Sequence, residues 1–376
     1  MITLSGGKVW TMRATFFMAG IGISVWAITV PFTKIRFQLD DATLGLMLLA
    51  GGVGGVLVMP LAGMAIGQWG SRAVIAATGL AMGLLILALN LAPSPLVFTL
   101  VLFFYGLIFG ALDIAMNAQG AVIEARSGAL QMSSFHACYS IGTLSIAVLS
   151  SFLLRLGANY LVCATVAAAV ALLLLTQVKN LLPRKFDAPA GGPRLALPNR
   201  ATLVLGLCCF ACFMTEGAAT DWSTIFLRFS RGLPIATAAL GYAAFAVSMA
   251  AARLLGDRVA MRLGQAQVMR LGCALAVAGF ALMIFTRSGV AAIAGFALVG
   301  LGTGNIAPLV FSAASRVPGM AANHSVPAVA GLGYAGFLVG PVMIGLIANH
   351  FGLSTALGID AVLLGATFFA ARAVAA

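Results

Sequence analysis

The sequence predicts an all-α integral membrane protein of about twelve transmembrane helices, arranged as two pseudo-symmetric six-helix bundles. Three observations predict it. Of the 376 residues, 62% are hydrophobic and only 8% are charged, which nearly excludes a water-soluble globule with an ordinary polar surface. The apolar stretches are uninterrupted runs of roughly 20 residues, the helical kind, rather than the short alternating segments of an outer-membrane barrel. A single long polar interruption falls near the middle of the chain, and the two sides of it echo each other.

Taken in order, the runs cover 12–33, 43–67, 73–92, 96–122, 131–155, 159–181, 201–224, 235–257, 267–286, 289–314, 325–349 and 352–373. The first follows Lys8 and Arg13 and so resembles a signal peptide. Its apolar core is too long for one, no small-residue cleavage site follows, and further spans do, so it reads as a retained helix. The segment "LPRKFDAPAGGPRLALPNR" (182–200), rich in Pro, Gly and basic side chains, reads as the linker between bundles 1–181 and 201–376. "GQWGSR" (67–72), after the second span, has a counterpart in "MRLGQA" (261–266) after the eighth, and Gly110–Arg126 has a shadow in Gly300–Arg316. Such duplication in transporters places the substrate site at the repeat interface near the midplane.

The net charge is +12. In a soluble chain that balance would suggest nucleic acid, but here the basic residues sit between spans, so no nucleic-acid partner is expected. With the N-terminus in the cytoplasm, about 15 Lys and Arg fall on the inner side and about 6 outside, as the positive-inside rule requires, so both termini are predicted cytoplasmic. All six cysteines fall inside predicted spans and read as small packing residues. "CCFAC" lacks the partners of a zinc site, and neither a metal nor another cofactor is expected.

The informative residues are polar ones within the spans. Helical spacing aligns Gly106, Gly110, Asp113, Asn117, Gly120 and Glu124 on one face of the fourth span. Ser133, His136, Ser140 and Thr143 form a second stripe in the fifth, and Cys209, Cys212, Glu216, Thr220 and Ser223 a third in the seventh. Three such stripes suggest a shared aqueous cavity. A charged side chain at mid-bilayer costs roughly 2.5–3.5 kcal/mol on insertion scales, so Asp113 and Glu216 are expected to face the interior. Desolvation disfavours their charged forms, which makes each a candidate proton carrier; the plainer reading of Asp113 is a structural residue bonded to Asn117. His136 suits hydrogen-bonded packing or a gating role equally, Asp360 in the last span has no evident partner, and Arg253 is expected to snorkel or to pair with Asp257.

Glycines at small-xxx-small spacing in "AGGVGGVLVMPLAG" and "GLGYAGFLVGPVMIG" permit close helix packing, and Pro60 and Pro341 permit bends. The stretch "GLGTGNIAP" (300–308), with Asn305 and Pro308, is a candidate flexible lining helix. No G-x-x-x-x-G-K-[ST] run is present, so this chain carries no P-loop for ATP.

Twelve spans, a basic central linker and a half-repeat resemble the major facilitator superfamily over essentially the whole chain. That family's signature G-x-x-x-D-R-x-G-x-R after the second span is matched by "GMAIGQWGSR" at Gly63, Gly70 and Arg72. It departs at Gly67, where the family has its aspartate, and at Gln68, where it has arginine. The relay attributed to the motif therefore lacks its aspartate and its first arginine in this half. "LDIAMNAQ" followed by "LQMSSFHACYSIG" is similar to the fucose-permease-like branch of bacterial inner-membrane proton symporters, in which an acid followed four positions later by asparagine sits in the fourth helix; Asp113 and Asn117 match that spacing. The branch's other acid, in the first helix, has no counterpart here. "GFLVGPVMIG" (336–345), with Gly340 and Pro341, resembles the G-x-x-x-G-P motif of drug–proton antiporters, displaced from the fifth helix to the eleventh.

The resemblance implies a monomeric secondary active transporter of the bacterial inner membrane, moving a small polar solute, for instance a sugar, by alternating access. Protons are the expected coupling ion and sodium the alternative. Asp113 and Glu216 are the expected coupling residues. Asn117, Gln119, His136, Tyr139, Trp26, Tyr334 and Asn305 are the candidate solute contacts, and Gly63, Gly70, Arg72, Gly340 and Pro341 the candidate gating positions. The rival function is proton-driven export of drug-like or amphipathic compounds.

Overall fold

The computed structural model describes residues 6–39, 41–187, 199–233, 235–238 and 240–375. A few helical side chains, those of Trp26 and Pro341 among them, lie outside that description. The helices are α1 (Gly6–Phe37), α2 (Asp41–Leu57), α3 (Met59–Trp69), α4 (Ser71–Leu91), α5 (Pro95–Ser127), α6 (Met132–Arg155), α7 (Tyr160–Leu175), α8 (Arg200–Ile225), α9 (Ile235–Ala238), α10 (Leu240–Leu263), α11 (Gln265–Phe285), α12 (Gly289–Thr303), α13 (Ile306–Ala314), α14 (Ala322–Phe351) and α15 (Leu353–Ala370).

Among the described residues nine helices are long and apolar enough to cross a membrane, or ten if the bent pair α2 and α3 counts as one span. The remaining crossings are α1 and α10, the latter made less apolar by Arg253, Asp257, Arg258 and Arg262. The total is twelve transmembrane helices in two six-helix bundles, with α12 and α13 forming one broken span. Helices suit this setting because each satisfies its own backbone donors and acceptors where no water can.

Local sequence sets the ends. Ser94, Asn159, Asn199 and Ser288 accept the backbone N–H of Val97, Val162, Thr202 and Ala291, capping α5, α7, α8 and α12. The second span breaks at Val58 with a 44° bend, where Pro60 occupies the first turn of α3 and needs no N–H partner. The tenth breaks at Gly304 and Asn305, with Pro308 in the first turn of α13. Gly70 before α4 (φ 88°, ψ 149°) and Gly264 before α11 (φ 84°, ψ 148°) adopt nearly the same backbone turn, so the two echoing loops share a conformation that disfavours any side chain.

By their internal contacts the described residues form two compact units. Met1–Gly128, Cys138–Ala196 and Ala321–Pro327 make the first; Ala129–Ala137, Leu197–Met320 and Ala328–Ala376 make the second. Of the linker expected at 182–200, residues 182–187 group with the first unit, and 188–198 lie outside the described residues.

In the first unit α5 packs on α2 through glycine: a Cβ at Gly106 would overlap the Gly51 carbonyl, and one at Gly110 would lie 2.9 Å from that of Gly55. The glycine end of the fourth span's small-and-polar stripe is thus a dry helix contact, not cavity wall. Leu172 and Leu175 of α7 fill the space over Gly83 and Gly79 of α4. In the second unit α11 meets α12 the same way, with a Cβ at Gly279 only 2.6 Å from the Gly295 carbonyl. Small residues let backbones approach within a bilayer, where hydrophobic burial no longer drives association. All six cysteines are free; Cys138 is half-buried and the other five are buried.

Candidate functional site

Each unit carries its own polar constellation. In the first, Asp113 and Asn117 stand one turn apart on α5, both buried. Asn117 Nδ2 donates to the Asp113 carbonyl at 2.9 Å and to its Oδ1 at 3.2 Å. The spacing read from the sequence therefore becomes a hydrogen-bonded pair. An amide donor orients the carboxyl and accepts either of its protonation states, since the partner oxygen bears a lone pair in both.

The second unit holds a denser group. Arg253 on α10 is 5% exposed; its Nη2 reaches Glu216 Oε1 on α8 at 2.9 Å and its Nε donates to the Gly304 carbonyl at 3.0 Å. Arg253 therefore does not snorkel, the first of the two readings expected for it; it is buried against Glu216. Pro308 has no N–H to give the Gly304 carbonyl four residues back, and that carbonyl accepts from the guanidinium instead. Cys212, one turn before Glu216, has its Sγ 3.8 Å from Oε1. Thr215 faces another way and reaches Asp360 Oδ1 on α15 at 3.3 Å.

The two Asp257 oxygens accept the backbone N–H of Ser133 and Ser134, at 2.9 and 2.7 Å. A carboxylate on two free donors in the first turn of α6 satisfies both and complements the positive end of the helix.

An aromatic cluster stands in the same unit. The His136 ring stacks on Phe311 at 6.0 Å, Phe213 packs edge-on to Tyr334 at 5.6 Å, and Phe213 and Phe337 lie 4.9 Å apart. Asn305 Nδ2 donates to the Ala252 carbonyl at 2.9 Å, while its buried Oδ1 has no hydrogen-bond partner among the described residues.

The structure divides the remaining candidates. Tyr139 is half-buried in the first unit, its carbonyl accepting the Thr143 hydroxyl at 3.1 Å. Gln119 is fully buried, and both ends of its amide are engaged: Nε2 with the Leu182 carbonyl at 3.0 Å, Oε1 with Ser71 Oγ at 2.5 Å. That geometry ties it to the start of the linker. Gly340 packs on Met214, with 3.1 Å from its Cβ position to Met214 Cγ. Trp26 and the Pro341 side chain lie outside the described residues, although α14 runs unbroken through position 341.

Gly63 lines a groove of ≈ 1080 Å³ in the first unit, walled by Val58, Leu61, Met64, Val74 and Leu107, with Arg184 and His324 as its charged or titratable members. Asp113 and Asn117 are not in its lining, so it is not the polar vestibule that the sequence predicts. Arg72 donates to the Lys179 carbonyl at 3.4 Å. Among the described residues no group of three or more His, Cys, Asp or Glu is placed to hold a metal ion. Sequence reasoning missed Arg253 as the partner of Glu216, Asp257 as a helix cap, and the aromatic cluster's Phe213 and Phe311.

A family model described as the Major Facilitator Superfamily matches residues 14–335. An uncharacterized MFS-type transporter of Yersinia pestis is 42% identical over 364 residues, which is 96% of this chain and 94% of that one. The Escherichia coli fucose:proton symporter FucP superposes with a TM-score of 0.81 at 19% identity, covering 97% of each chain. The proton:xylose symporter XylE superposes with a TM-score of 0.82 at 13% identity, covering 96% of this chain and 94% of that one.

Proposed function

Because the chain belongs to the major facilitator superfamily of transporters, we propose that it moves a small polar solute, a sugar or sugar derivative, across the bacterial inner membrane by proton-coupled alternating access. Asp113 takes and releases the proton, with Asn117 orienting its carboxyl. In the second unit, Glu216 and Arg253 bind or release each other as the solute and the proton come and go. Tyr334 and His136 give flat faces to a sugar ring, and Asn305 Oδ1 offers an acceptor. Both termini are cytoplasmic.

The observation that carries this reading is the Glu216–Arg253 pair, 2.9 Å long, with Arg253 buried and Glu216 half-buried in membrane-crossing helices. Removing two charges from water costs several kcal/mol per ion, so a bilayer protein retains such a pair where the charges have work to do. The two symporters of like fold transport fucose and xylose with protons, as their names state, and they suggest the first solutes to try. The deciding experiment is uptake of radiolabelled L-fucose, D-xylose and a panel of sugars, amino sugars and inositols into proteoliposomes. An inside-alkaline pH gradient is expected to accelerate uptake of at least one; uptake indifferent to the gradient would overturn proton coupling.

Export of amphipathic compounds is the second reading, favoured by the aromatic cluster of Phe213, Phe311, Tyr334 and Phe337. It requires that cells lacking the protein become sensitive to hydrophobic cations, and that those cations raise its apparent stability.

A further inference from the structure

At positions 67 and 68, in the last turn of α3, the signature motif has glycine and glutamine where the family carries an acid and an arginine. Charged groups reach it nonetheless, from more than a hundred residues further along the chain. Leu181 and Leu182 are buried, each 1% exposed, and the chain then makes a short 3-10 turn, Arg184–Phe186. Arg184 Nη2 donates to the Gly67 carbonyl at 3.2 Å. Asp187 Oδ2 accepts the Ser71 backbone N–H at 2.9 Å, and its Oδ1 lies 2.6 Å from Ser71 Oγ. Gln119 on α5 closes the set, holding both Ser71 Oγ and the Leu182 carbonyl. The Arg126 guanidinium stands 4.5 Å over the Phe186 ring.

Gly70 makes this approach fit. Its φ of +88° suits glycine, and a Cβ there would come within 2.7 Å of Arg184 Cβ. Ser71 opens α4, whose first backbone donors have no partner within the helix. Gly70 has no side chain with which to cap them, and Asp187 performs that task from outside.

We propose that residues 181–187 form a strap that brings to the signature motif the acid and the guanidinium missing at positions 67 and 68, with Asp187 the anchor and Arg184 the second clasp. The strap fixes the turn joining α3 to α4 and the inner end of α5 as one piece, and it makes the start of the linker a working part of the first bundle. The assignment stands on contacts within that bundle and is independent of the solute.

Hydrogen–deuterium exchange on the full-length protein in lipid nanodiscs tests it. Asp187→Ala is expected to speed exchange in peptides covering 67–78 and 180–187 by about fivefold, the factor that loss of a helix N-cap brings, and to leave α8 and α11 unchanged. Lys185→Ala should be silent. Arg184→Gln provides a second route, with faster exchange over the same peptides. Unchanged exchange at 67–78 in both Asp187→Ala and Arg184→Gln would overturn the strap. So would a rise spread evenly over the whole chain.

Discussion

Glu216 and Arg253 lie 2.9 Å apart on α8 and α10, with side chains 18% and 6% exposed. Such a pair is held as a unit. Taking away one member leaves the other charge without its partner, so Arg253→Leu is expected to lower stability by about 3–5 kcal/mol. Glu216→Gln combined with Arg253→Leu should recover part of that loss. Apparent unfolding temperatures of the purified variants check the order: wild type, then the double variant, then Arg253→Leu.

Asp113→Asn keeps the size of the side chain and a hydrogen-bonding group for Asn117, but cannot exchange a proton near neutral pH. Uptake driven by a pH gradient is expected to fall to the rate seen without one, while solute exchange at equal pH on both sides continues. Proteoliposome uptake measured under both regimes separates the two, and an undiminished response to the gradient would remove Asp113 from the coupling step.

The α2–α5 contact leaves no room for a side chain at Gly106. Gly106→Leu should destabilise by at least about 1–3 kcal/mol, the usual cost of overpacking. At Gly365 on α15 nothing lies within 4 Å of the Cβ position, so Gly365→Ala is expected to leave the unfolding temperature unchanged or slightly raised. The two variants compared in one thermal assay distinguish a packing requirement from a general sensitivity of membrane helices to substitution.

Asp257 holds the Ser133 and Ser134 N–H groups in the first turn of α6. Its replacement by Ala should cost about 1 kcal/mol and fray the turn beginning at Met132, which carries His136. Faster amide exchange confined to 131–137 is the expected signature.

Burial raises the Asp187 carboxyl above its usual 3.8, outweighing its bonds to Ser71 and the nearby Arg184 guanidinium. Ser71 Oγ has one hydrogen to share between Asp187 Oδ1 and Gln119 Oε1, so a protonated Asp187 can donate to Ser71 while Ser71 donates to Gln119. A folded pKa above the unfolded one means that the docked state binds the proton more tightly. The contribution is complete below the unfolded value and fades as pH rises through the folded value. Exchange at 67–78, corrected for its intrinsic pH dependence, is therefore expected to be slower in mildly acidic buffer than at pH 7, and Asp187→Asn should flatten that difference.

Hydropathy made the spans legible because a bilayer demands long apolar helices and penalises anything else. Pro60 announced the bend in the second span, and "GLGTGNIAP" announced the break in the tenth, since both depend on backbone chemistry local to the sequence. The Asp113–Asn117 pair was legible for the same reason, its two members being one helical turn apart. Arg253 with Glu216 was not, because their meeting depends on how α8 and α10 are rotated within their unit. Asp187 with Ser71 was hidden further still: nothing in a Pro- and Gly-rich linker tells which carboxylate will find an uncapped helix 116 positions earlier. The glycines of α5 were legible as a face but not as to what meets it; water and a neighbouring backbone both favour small residues.

Burial of five of the six thiols has a practical yield. A water-soluble maleimide meets only Cys138 with any ease, so replacing that one residue gives a background on which spin or fluorescent reporters can be attached at chosen sites. The protein's internal movements can then be followed by spectroscopy without stripping native sulfur from its interior.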